Sequence, residues 1–437
     1  MDLVQTSTDL SRPESSGAVV CCANMSSARF NGIICFGGVD WWYHNRGHYD
    51  IQMMRELSAR VPVLYINSIG MRTPRASEGK VFFKRVTRKL KSLKQGRVRV
   101  RENFTVFSPV TLPGGGRGKI AATIARKALL HQVRRAAKKA GITRPLVWVA
   151  CPPGATILDD LSPVQVVYQR TDRFENFHGV DPDRIRGFDQ QLKAKADLVL
   201  FCSRELYNAE RDQCSDTAFI DHGVDYDRFE EAGRNTPTPE SDPADVRAVP
   251  HPRVGFIGGI DAHTFDPPLF VEVARSIPEA HFVLVGGCSL PDGWCDLPNV
   301  HHLGRKPYDE VADYMAACDV LIMPWNQSEW IRACNPVKMK EYLAVGRPVV
   351  STWFPEVEHY TDHIAVAGGP VEFTTLLREA IRNPHDPQPG RTRVADHTWT
   401  AKADQVWNRL QNMDRTDDSV STPQCCQLST QHTGAQS

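Results

Sequence analysis

No stretch of this 437-residue sequence approaches the roughly 18–20 consecutive apolar residues that a membrane-spanning helix requires. The 12 cysteines include no CxxC pair and no cysteine–histidine cluster with the spacing of a zinc site. We therefore predict a cytosolic protein with reduced thiols that is not integral to a membrane.

Acidic residues are nearly missing from residues 80–158, which contain 19 lysines and arginines but a single acid, Glu102. Elsewhere the chain holds 33 basic and 50 acidic residues, so the net charge of +1 hides two regions of opposite sign. Residues 80–101 mix ten bases with phenylalanines and leucines, which predicts a basic amphipathic helix able to lie on an anionic membrane, at its inner face in a cytosolic protein. A second basic helix is predicted over 119–140. Solvated basic faces explain the pattern equally well, and we expect no nucleic-acid partner because no nucleic-acid motif accompanies the charge.

The length predicts two folded domains, and the composition predicts polar ends. The predicted segments are a disordered tail over 1–28, an N-terminal domain over 29–230, a linker rich in proline and acids over 231–252, a C-terminal domain over 253–395, a helix crossing back to the first domain over 396–411 and a disordered tail over 412–437. Hinge motion at the linker and the crossing helix would close the cleft between the domains.

Both halves alternate short apolar runs with helical patterns, which predicts an α/β fold of two Rossmann-like domains with parallel sheets. Ligands bind at the carboxyl ends of the strands in such sheets, so the cleft between the domains is the expected site. Gly258 and Gly259 close the predicted strand 253–259, where they would let a diphosphate approach the backbone or simply permit a tight turn.

The segment NPVKMKEYLAVGRPVV, residues 335–350, predicts a short helix. Asn335 suits the N-cap, the proline after it suits the first helical position, and Gly346 suits the helix end. Lys338 and Glu341 are three residues apart and therefore share one face near the helix start. They form either a ligand-binding pair or an ordinary solvated pair.

Five segments, in this order along the chain, resemble those of GT-B glycosyltransferases of the broad group 1, or family 4-like, type. They read ADLVLFCSRELYNAE followed by DHGVDYDRF, then RVGFIGGIDAHTFD, HFVLVGG, NVHHLGRKPYDEVADYMAACDVLIMPW and NPVKMKEYLAVGRPVVST. The resemblance implies a GT-B fold, in which two Rossmann-like domains face a cleft. It also implies that the second domain binds a nucleotide sugar, which is a substrate and not a cofactor. We expect no essential metal, because the helix dipole and cationic side chains can take its place.

On this resemblance the glycines 258 and 259 lie near the diphosphate, and Arg305 lies beside the base or a phosphate, with an ordinary surface arginine as the alternative. Asn335 begins the donor-binding helix, Lys338 contacts a phosphate or an acidic sugar, and Glu341 accepts hydrogen bonds from the ribose diol.

The sequence departs from the family pattern at two points. Many retaining members carry an acid where this chain has Ala333, and an arginine–lysine pair is missing after the first glycine loop. Both departures bring the sequence closer to xanthan-type glucuronosyltransferases, in which a lysine on this helix helps to select a uronic acid donor. A donor sugar with a carboxylate is therefore a hypothesis for Lys338.

The first domain would supply the acceptor site. Asp172 follows a predicted strand at its carboxyl end, where a catalytic base belongs, although capping of the next helix is an alternative. The loop 37–50 presents Asp40, Trp41, Trp42 and His44 and is interpreted as an acceptor or gating loop, with a buried tryptophan pair as the alternative. The sequence Asp181-Pro182-Asp183 matches a metal-binding DxD pattern, but we predict a helix cap there.

These features together predict a glycosyltransferase that moves a sugar from a nucleotide-diphospho donor to a polysaccharide or lipid-linked acceptor at the membrane surface. A sugar-nucleotide epimerase of the same fold is the alternative enzyme. A degenerate domain pair that only binds nucleotide or membrane is the alternative without activity.

Overall fold

The computed structural model describes residues 29–43, 47–71, 80–111, 118–177, 179–234 and 242–417, with the backbone alone for 80–86 and 414–417. The predicted tail 1–28, residues 418–437 of the predicted tail 412–437 and the loop residue His44 lie outside these ranges, whereas residues 412–417 are helical and not the predicted tail. The described part contains two α/β domains, each built on its own sheet.

The first domain has a sheet of eight strands. They are β1 (Gly32–Phe36), β2 (Val63–Ile66), β3 (Arg97–Arg101), β4 (Phe104–Phe107), β5 (Pro145–Val149), β6 (Gln165–Arg170), β7 (Leu198–Phe201) and β8 (Thr217–Phe219). The helices in this part of the chain are α1 (Tyr49–Leu57), α2 (Lys80–Gln95), α3 (Lys119–Lys139), α4 (Pro182–Lys195), α5 (Arg204–Glu210) and α6 (Tyr226–Arg234). The strand order is β3-β4-β2-β1-β5-β6-β7-β8, and every pair is parallel except β3 with β4.

The second domain has a sheet of six parallel strands. They are β9 (Arg253–Ile257), β10 (His281–Val285), β11 (Val300–Gly304), β12 (Val320–Met323), β13 (Val349–Thr352) and β14 (Ala365–Ala367). The remaining helices are α7 (Pro267–Ser276), α8 (Val311–Ala316), α9 (Glu329–Arg332), α10 (Val337–Val345), α11 (Pro370–Arg382), α12 (Gln388–Val394) and α13 (Trp399–Asp417). The strand order β11-β10-β9-β12-β13-β14 reverses between β9 and β12, which is the Rossmann arrangement.

Apolar residues fill both faces of each sheet, as the unbroken apolar runs of the strands predict. Successive residues of β1 point into two different clusters: Ile33 and Cys35 enter one, and Ile34 and Phe36 enter the other. Because both faces are covered by helices, the strand ends are where polar side chains can gather.

The basic segment 80–101 is not one helix, so that prediction is wrong in part. Helix α2 ends at Gln95, Gly96 has a left-handed φ of 59°, and Arg97–Arg101 forms the edge strand β3. The alternation of arginine and valine in RVRVR has the two-residue period of a strand, and it is the arginines that are exposed. The second basic helix is confirmed as α3.

The chain passes between the domains at two adjacent points. Phe229 of helix α6 packs in the core of the second domain. The chain therefore first crosses to the second domain before α6, at an earlier position than the predicted linker 231–252. Val246 and Val249, within that segment, are buried in the same core. The second passage precedes α13, which packs on the first domain and continues to Asp417, beyond the predicted end at 411.

Candidate functional site

The carboxyl ends of β9, β10 and β11 bring glycines and a guanidinium group together. A Cβ atom on Gly286 would lie 1.6 Å from the carbonyl oxygen of Gly258, and a Cβ atom on Gly287 would lie 2.4 Å from Nε of Arg305. Gly286 has no room for a side chain because it faces backbone, whereas at Gly287 the space is occupied by the movable side chain of Arg305. Sequence reasoning selected Gly258 and Gly259, whereas the steric demand is greatest at the second glycine pair.

Arg305 is exposed and lies over Gly287. Among the residues that the structure describes, no hydrogen bond or ion pair holds its guanidinium group. Its neighbour Lys306 is different, because its ammonium group is paired with Asp245, which also accepts a hydrogen bond from Tyr314 at 2.7 Å. Arg305 can therefore bind an anion with all its donors, and Lys306 has a structural partner.

Helix α10 lies against the same edge. The hydroxyl of Tyr342 accepts a hydrogen bond of 3.1 Å from the backbone N–H of Ile257, at the end of β9. One residue earlier, Glu341 is 1% exposed and receives Nζ of Lys338 on Oε2 at 2.5 Å. The two residues thus share one face of the helix, as predicted, but Glu341 is buried and Lys338 is only 20% exposed, so they do not form a fully solvated surface pair.

Glu341 also lies close to the loop that follows β11. Burial raises the pKa of the Tyr308 hydroxyl well above its ordinary value, and the negative charge of Glu341 is the second largest cause of this increase. Because Tyr342 contacts the end of β9 and the glycines after β9 and β10 lead to Arg305, the carboxylate on α10 and the guanidinium group after β11 lie at the same edge of the sheet. This region has a cation and hydrogen-bond acceptors on rigid elements.

Asn335 is not the N-cap of α10, so this prediction is wrong. The helix begins at Val337, Pro336 holds the cap position, and no side chain caps it. Pro336 is extended, with a ψ of 126°, so the helix starts one residue later than predicted. Nδ2 of Asn335 instead donates to the carbonyl of Cys202 in the first domain at 2.8 Å, while its buried Oδ1 has no partner among the described residues.

Asp172 is half-buried and lies two residues beyond the carboxyl end of β6. Burial outweighs a hydrogen bond from Thr171 and the charge of Arg170, and raises the pKa of the Asp172 carboxyl from 3.8 to about 6. Burial raises the pKa values of the Cys202 and Cys334 thiols, and the negative charge of Asp172 is the second largest cause of both increases. The carboxyl group therefore lies where the first domain meets the segment leading into α10.

Neighbouring acids near β6 are neutralised. The buried Arg170 binds Glu175 and Glu210 at 3.0 Å each, and Lys193 approaches Glu210 at 2.7 Å. Asp172 is outside this network. A carboxyl group with a pKa near neutrality at a domain interface is a common property of catalytic acids and bases.

Ala333 shows why the acid of retaining relatives has no counterpart here. Its side chain is 2% exposed and packs in an apolar cluster of the first domain. Nearby, Trp330 stacks on His263 of its own domain, with ring centres 4.7 Å apart, and contacts Phe177 of the first domain at 6.2 Å. This segment is an interdomain contact surface.

The loop after β1 only partly matches its predicted role. Trp41 is 7% exposed and packs 5.1 Å from the ring of Phe104, so the alternative of a buried tryptophan applies to it. Trp42 is half-buried and donates its indole N–H to Ser108 at 3.4 Å. Asp40 accepts a hydrogen bond from the backbone of Trp42 at 3.0 Å, as in an Asx turn.

The acidic pair Asp181 and Asp183 forms a helix start, as predicted. Asp181 accepts a hydrogen bond from the backbone N–H of Arg184 and caps α4. In the described ranges no group of three or more His, Cys, Asp or Glu residues is arranged to hold a metal ion, and no helix is long and apolar enough to cross a membrane.

A set of ion pairs between the domains, buried except at Arg204, was missed at the sequence level. Asp221, just after β8, binds Lys340 of α10 and Lys402 of α13, and Arg204 of α5 binds Glu356 after β13. The partners of each pair are more than 100 residues apart in sequence. No local pattern could have revealed them.

Solved structures define the class of this fold. Sucrose-phosphate synthase from Thermosynechococcus elongatus superposes with a TM-score of 0.64 at 14% identity, covering 88% of this chain and 100% of that one. HepE from Anabaena, solved with UDP and glucose, gives a TM-score of 0.56 at 16% identity, covering 90% of this chain and 100% of that one. The protein has the GT-B fold, as predicted.

The sequence comparisons identify the second domain. Residues 251–383 match the family Glycosyl transferases group 1, and this domain belongs to that family. The protein TuaH of Bacillus subtilis, which is named for teichuronic acid biosynthesis, is 34% identical over 175 residues. That match covers 37% of this chain and 42% of TuaH, less than half the length of the relative.

Proposed function

We propose that this protein is a glycosyltransferase that moves a sugar from a nucleotide-diphospho donor to a polysaccharide or lipid-linked acceptor. The observation that carries the proposal is the region bordered by bare glycine backbone, the exposed Arg305 and the pair of half-buried Lys338 and buried Glu341. These groups match the parts of such a donor: a guanidinium group and an ammonium group for the diphosphate, and a carboxylate for a ribose diol.

The start of α10 adds to the cationic character of this region. Its first N–H groups have no side-chain cap and therefore favour a negative charge nearby. Lys338 is already paired with Glu341, so a donor must share or replace that contact. A donor with a carboxylate on its sugar has a particular reason to bind here, because it can take over Lys338 when the ribose engages Glu341.

Asp172 is the proposed base of an inverting transfer. Its carboxylate would accept the proton of the acceptor hydroxyl while that oxygen attacks the anomeric carbon. The bond from this carbon to the diphosphate oxygen then breaks, and its electron pair leaves on the diphosphate, whose charge Arg305 and Lys338 would stabilise.

A uridine nucleotide is the first donor to test. HepE is solved with UDP and glucose, and an Escherichia coli trehalose-6-phosphate structure, with a TM-score of 0.58 and 10% identity over 87% of this chain and 98% of that one, carries UDP-2-fluoro glucose. The name of TuaH supports a cell-envelope polysaccharide as the acceptor.

Thermal unfolding with UDP, GDP, dTDP and their sugar conjugates tests the donor site. A ligand at 100 times its Kd stabilises the folded state by about 2.7 kcal/mol, which is readily measured. We expect one nucleotide to raise the unfolding temperature of the wild type but not of Glu341→Ala. Glu279→Ala, an exposed acid before the amino end of β10, is the matched control and should respond like the wild type. Equal responses of both variants would refute the site.

Turnover separates the proposal from its alternatives. Incubation with the donor alone should release the nucleoside diphosphate slowly and give no new sugar nucleotide, whereas an epimerase would give one. Release that does not exceed a protein-free blank, despite binding, would favour a binding protein without activity.

We also propose that the basic side of the first domain contacts an anionic membrane. Four large apolar side chains are 59–80% exposed in this region, and exposed arginines of β3 and lysines of α3 belong to the same basic stretch of the chain. These apolar residues are Leu90, Val110, Ile120 and Ile124. Apolar side chains among cations are typical of surfaces that insert shallowly into anionic lipid.

Vesicle sedimentation tests this contact. Wild-type protein should bind vesicles with phosphatidylglycerol, less so at high salt, and Ile120→Ser/Ile124→Ser should weaken binding several-fold. Val371→Ser, which alters a side chain 77% exposed on the second domain, is the control and should bind as wild type. Equal binding to neutral vesicles would contradict the proposal.

A further inference from the structure

We propose that Lys340 is a positioning residue, which through Asp221 couples donor binding on α10 to the angle between the two domains. This inference rests on the proposed donor site. It concerns a side chain that contacts no part of that site and that the family resemblance does not single out.

Lys340 and Glu341 are neighbours in α10, but their side chains go to different places. Glu341 turns to Lys338, whereas Nζ of the fully buried Lys340 approaches Oδ2 of Asp221 at 2.6 Å and also donates to the carbonyl of His222. One helical turn therefore holds both the predicted ribose ligand and a cation bound to the other domain. A shift or rotation of α10 must displace both.

Asp221 occupies the place where the chain passes between the domains. Its Oδ1 accepts from Lys402 of α13 at 2.5 Å, so one carboxylate joins the end of the first domain, the donor helix and the returning helix. The N–H of Val224 donates to the carbonyl of His397 at 2.8 Å, pairing the two passages. A Cβ atom on Gly223 would lie 2.6 Å from Cα of Trp399, so the passages are in direct contact.

The other end of α10 is fastened within its own domain. Arg391 of α12 donates to the carbonyls of Ala344 and Val345, at 3.2 and 2.9 Å. A Cβ atom on Gly233 of α6 would lie 1.8 Å from the carbonyl oxygen of Val345. Lys340 is thus the charged link from this helix to the domain passage.

Packing alone gives no reason for a lysine here. A buried ion pair gains little over apolar residues of the same volume, because desolvation offsets the attraction. Burial lowers the pKa of Lys340 to about 8 although the charge of Asp221 opposes this change. The lowered pKa reflects the desolvation cost of the buried ammonium group. A buried lysine at position 340, next to the proposed donor-binding residues, has a function if Asp221 must move together with helix α10.

Lys340→Met tests the link without leaving Asp221 unpaired, since Lys402 still balances that carboxylate. The domain angle is followed by small-angle scattering and by a fluorophore pair, one on each domain, with and without saturating UDP. We expect UDP to shorten the interdomain distance in the wild type. In Lys340→Met, UDP should bind within about threefold of the wild-type Kd, but the shortening should be lost and kcat should fall at least tenfold.

Two further variants separate positioning from general damage. Asp221→Asn should lose the same response, and its combination with Lys340→Met should be no worse than either change alone, which additive effects would not give. Lys193→Met removes another buried lysine, bound to Asp189 at 2.7 Å in the first domain, and should close normally.

The possible results discriminate between the two proposals. A wild-type protein that binds none of UDP, GDP and dTDP overturns the donor site and this inference with it. Normal closure and kcat in Lys340→Met, with UDP bound, overturn the inference alone. Loss of closure in Lys193→Met as well would also overturn it.

Discussion

The assignment of Asp172 as the base predicts a specific dependence of activity on pH. The pKa of this carboxyl is raised to about 6, so about 90% of it is ionised at pH 7 and about 10% at pH 5. A general base acts only when it is deprotonated. The value of kcat/KM should therefore fall about tenfold from pH 7 to pH 5, with a midpoint near pH 6.

Replacing Asp172 by Asn removes the proton acceptor and changes little in volume. The loss of a positioned general base typically costs 10²–10⁴ in rate, so kcat should fall by about that factor while the Kd for UDP stays unchanged. The acidic limb near pH 6 should disappear from the remaining activity. Asp183→Asn, at a carboxylate 92% exposed in α4, is the control and should retain both the rate and the limb.

The assay is the release of nucleoside diphosphate from the donor that the thermal panel selects, measured at several pH values with buffer overlap. If Asp172→Asn keeps a limb with a midpoint near pH 6, another group titrates and Asp172 is not the base. Unchanged kcat in this variant would favour a retaining transfer, which needs a site that stabilises charge but no such base.

Three other changes test the remaining parts of the structure. Glu341→Ala should weaken UDP binding by about 100-fold or more in calorimetry, because two hydrogen bonds to a charged acceptor, each worth about 1.5–3 kcal/mol, are lost; an unchanged Kd would exclude a ribose contact. Ala333→Glu buries a carboxylate in the apolar interface and should lower the unfolding temperature by several degrees without raising kcat, with Ala333→Gln falling less. Burial, and to a smaller extent the charge of Lys340, lowers the pKa of His222 to about 3. Below about pH 6.5 the imidazole is therefore protonated in the unfolded chain but stays neutral in the folded protein. His222 should therefore contribute a loss of about 2 kcal/mol in the free energy of unfolding between pH 8 and pH 5, measured in urea titrations as the difference between the wild type and His222→Gln; an equal pH dependence of the two proteins would contradict the assignment.

The sequence predicted most strands because their signal is local. The apolar runs of β1 and β9 each end in glycines and are buried on both sides, which leaves little alternative structure. The strands β3, β4 and β14 were not predicted. The alternating RVRVR of β3 followed a helical segment of the same charge, and the composition concealed its two-residue period.

Part of the site was predictable for the same reason. Lys338 and Glu341 follow from helical spacing, and Gly258 and Gly259 follow from the end of a strand. The cap at Asn335 was misplaced because the side chain of Asn335 has a partner in the other domain, which local propensity does not include.

The sequence by itself determined the α/β class, the two sheets and the face on which Lys338 and Glu341 meet, since these depend on contacts between near neighbours. The tertiary structure alone decided that Glu341 is buried and that Trp41 belongs to the core. It also decided that Lys340 joins Asp221 across 119 residues. Such pairs depend on how the chain returns through the domain interface, where burial changes the energy of every charge.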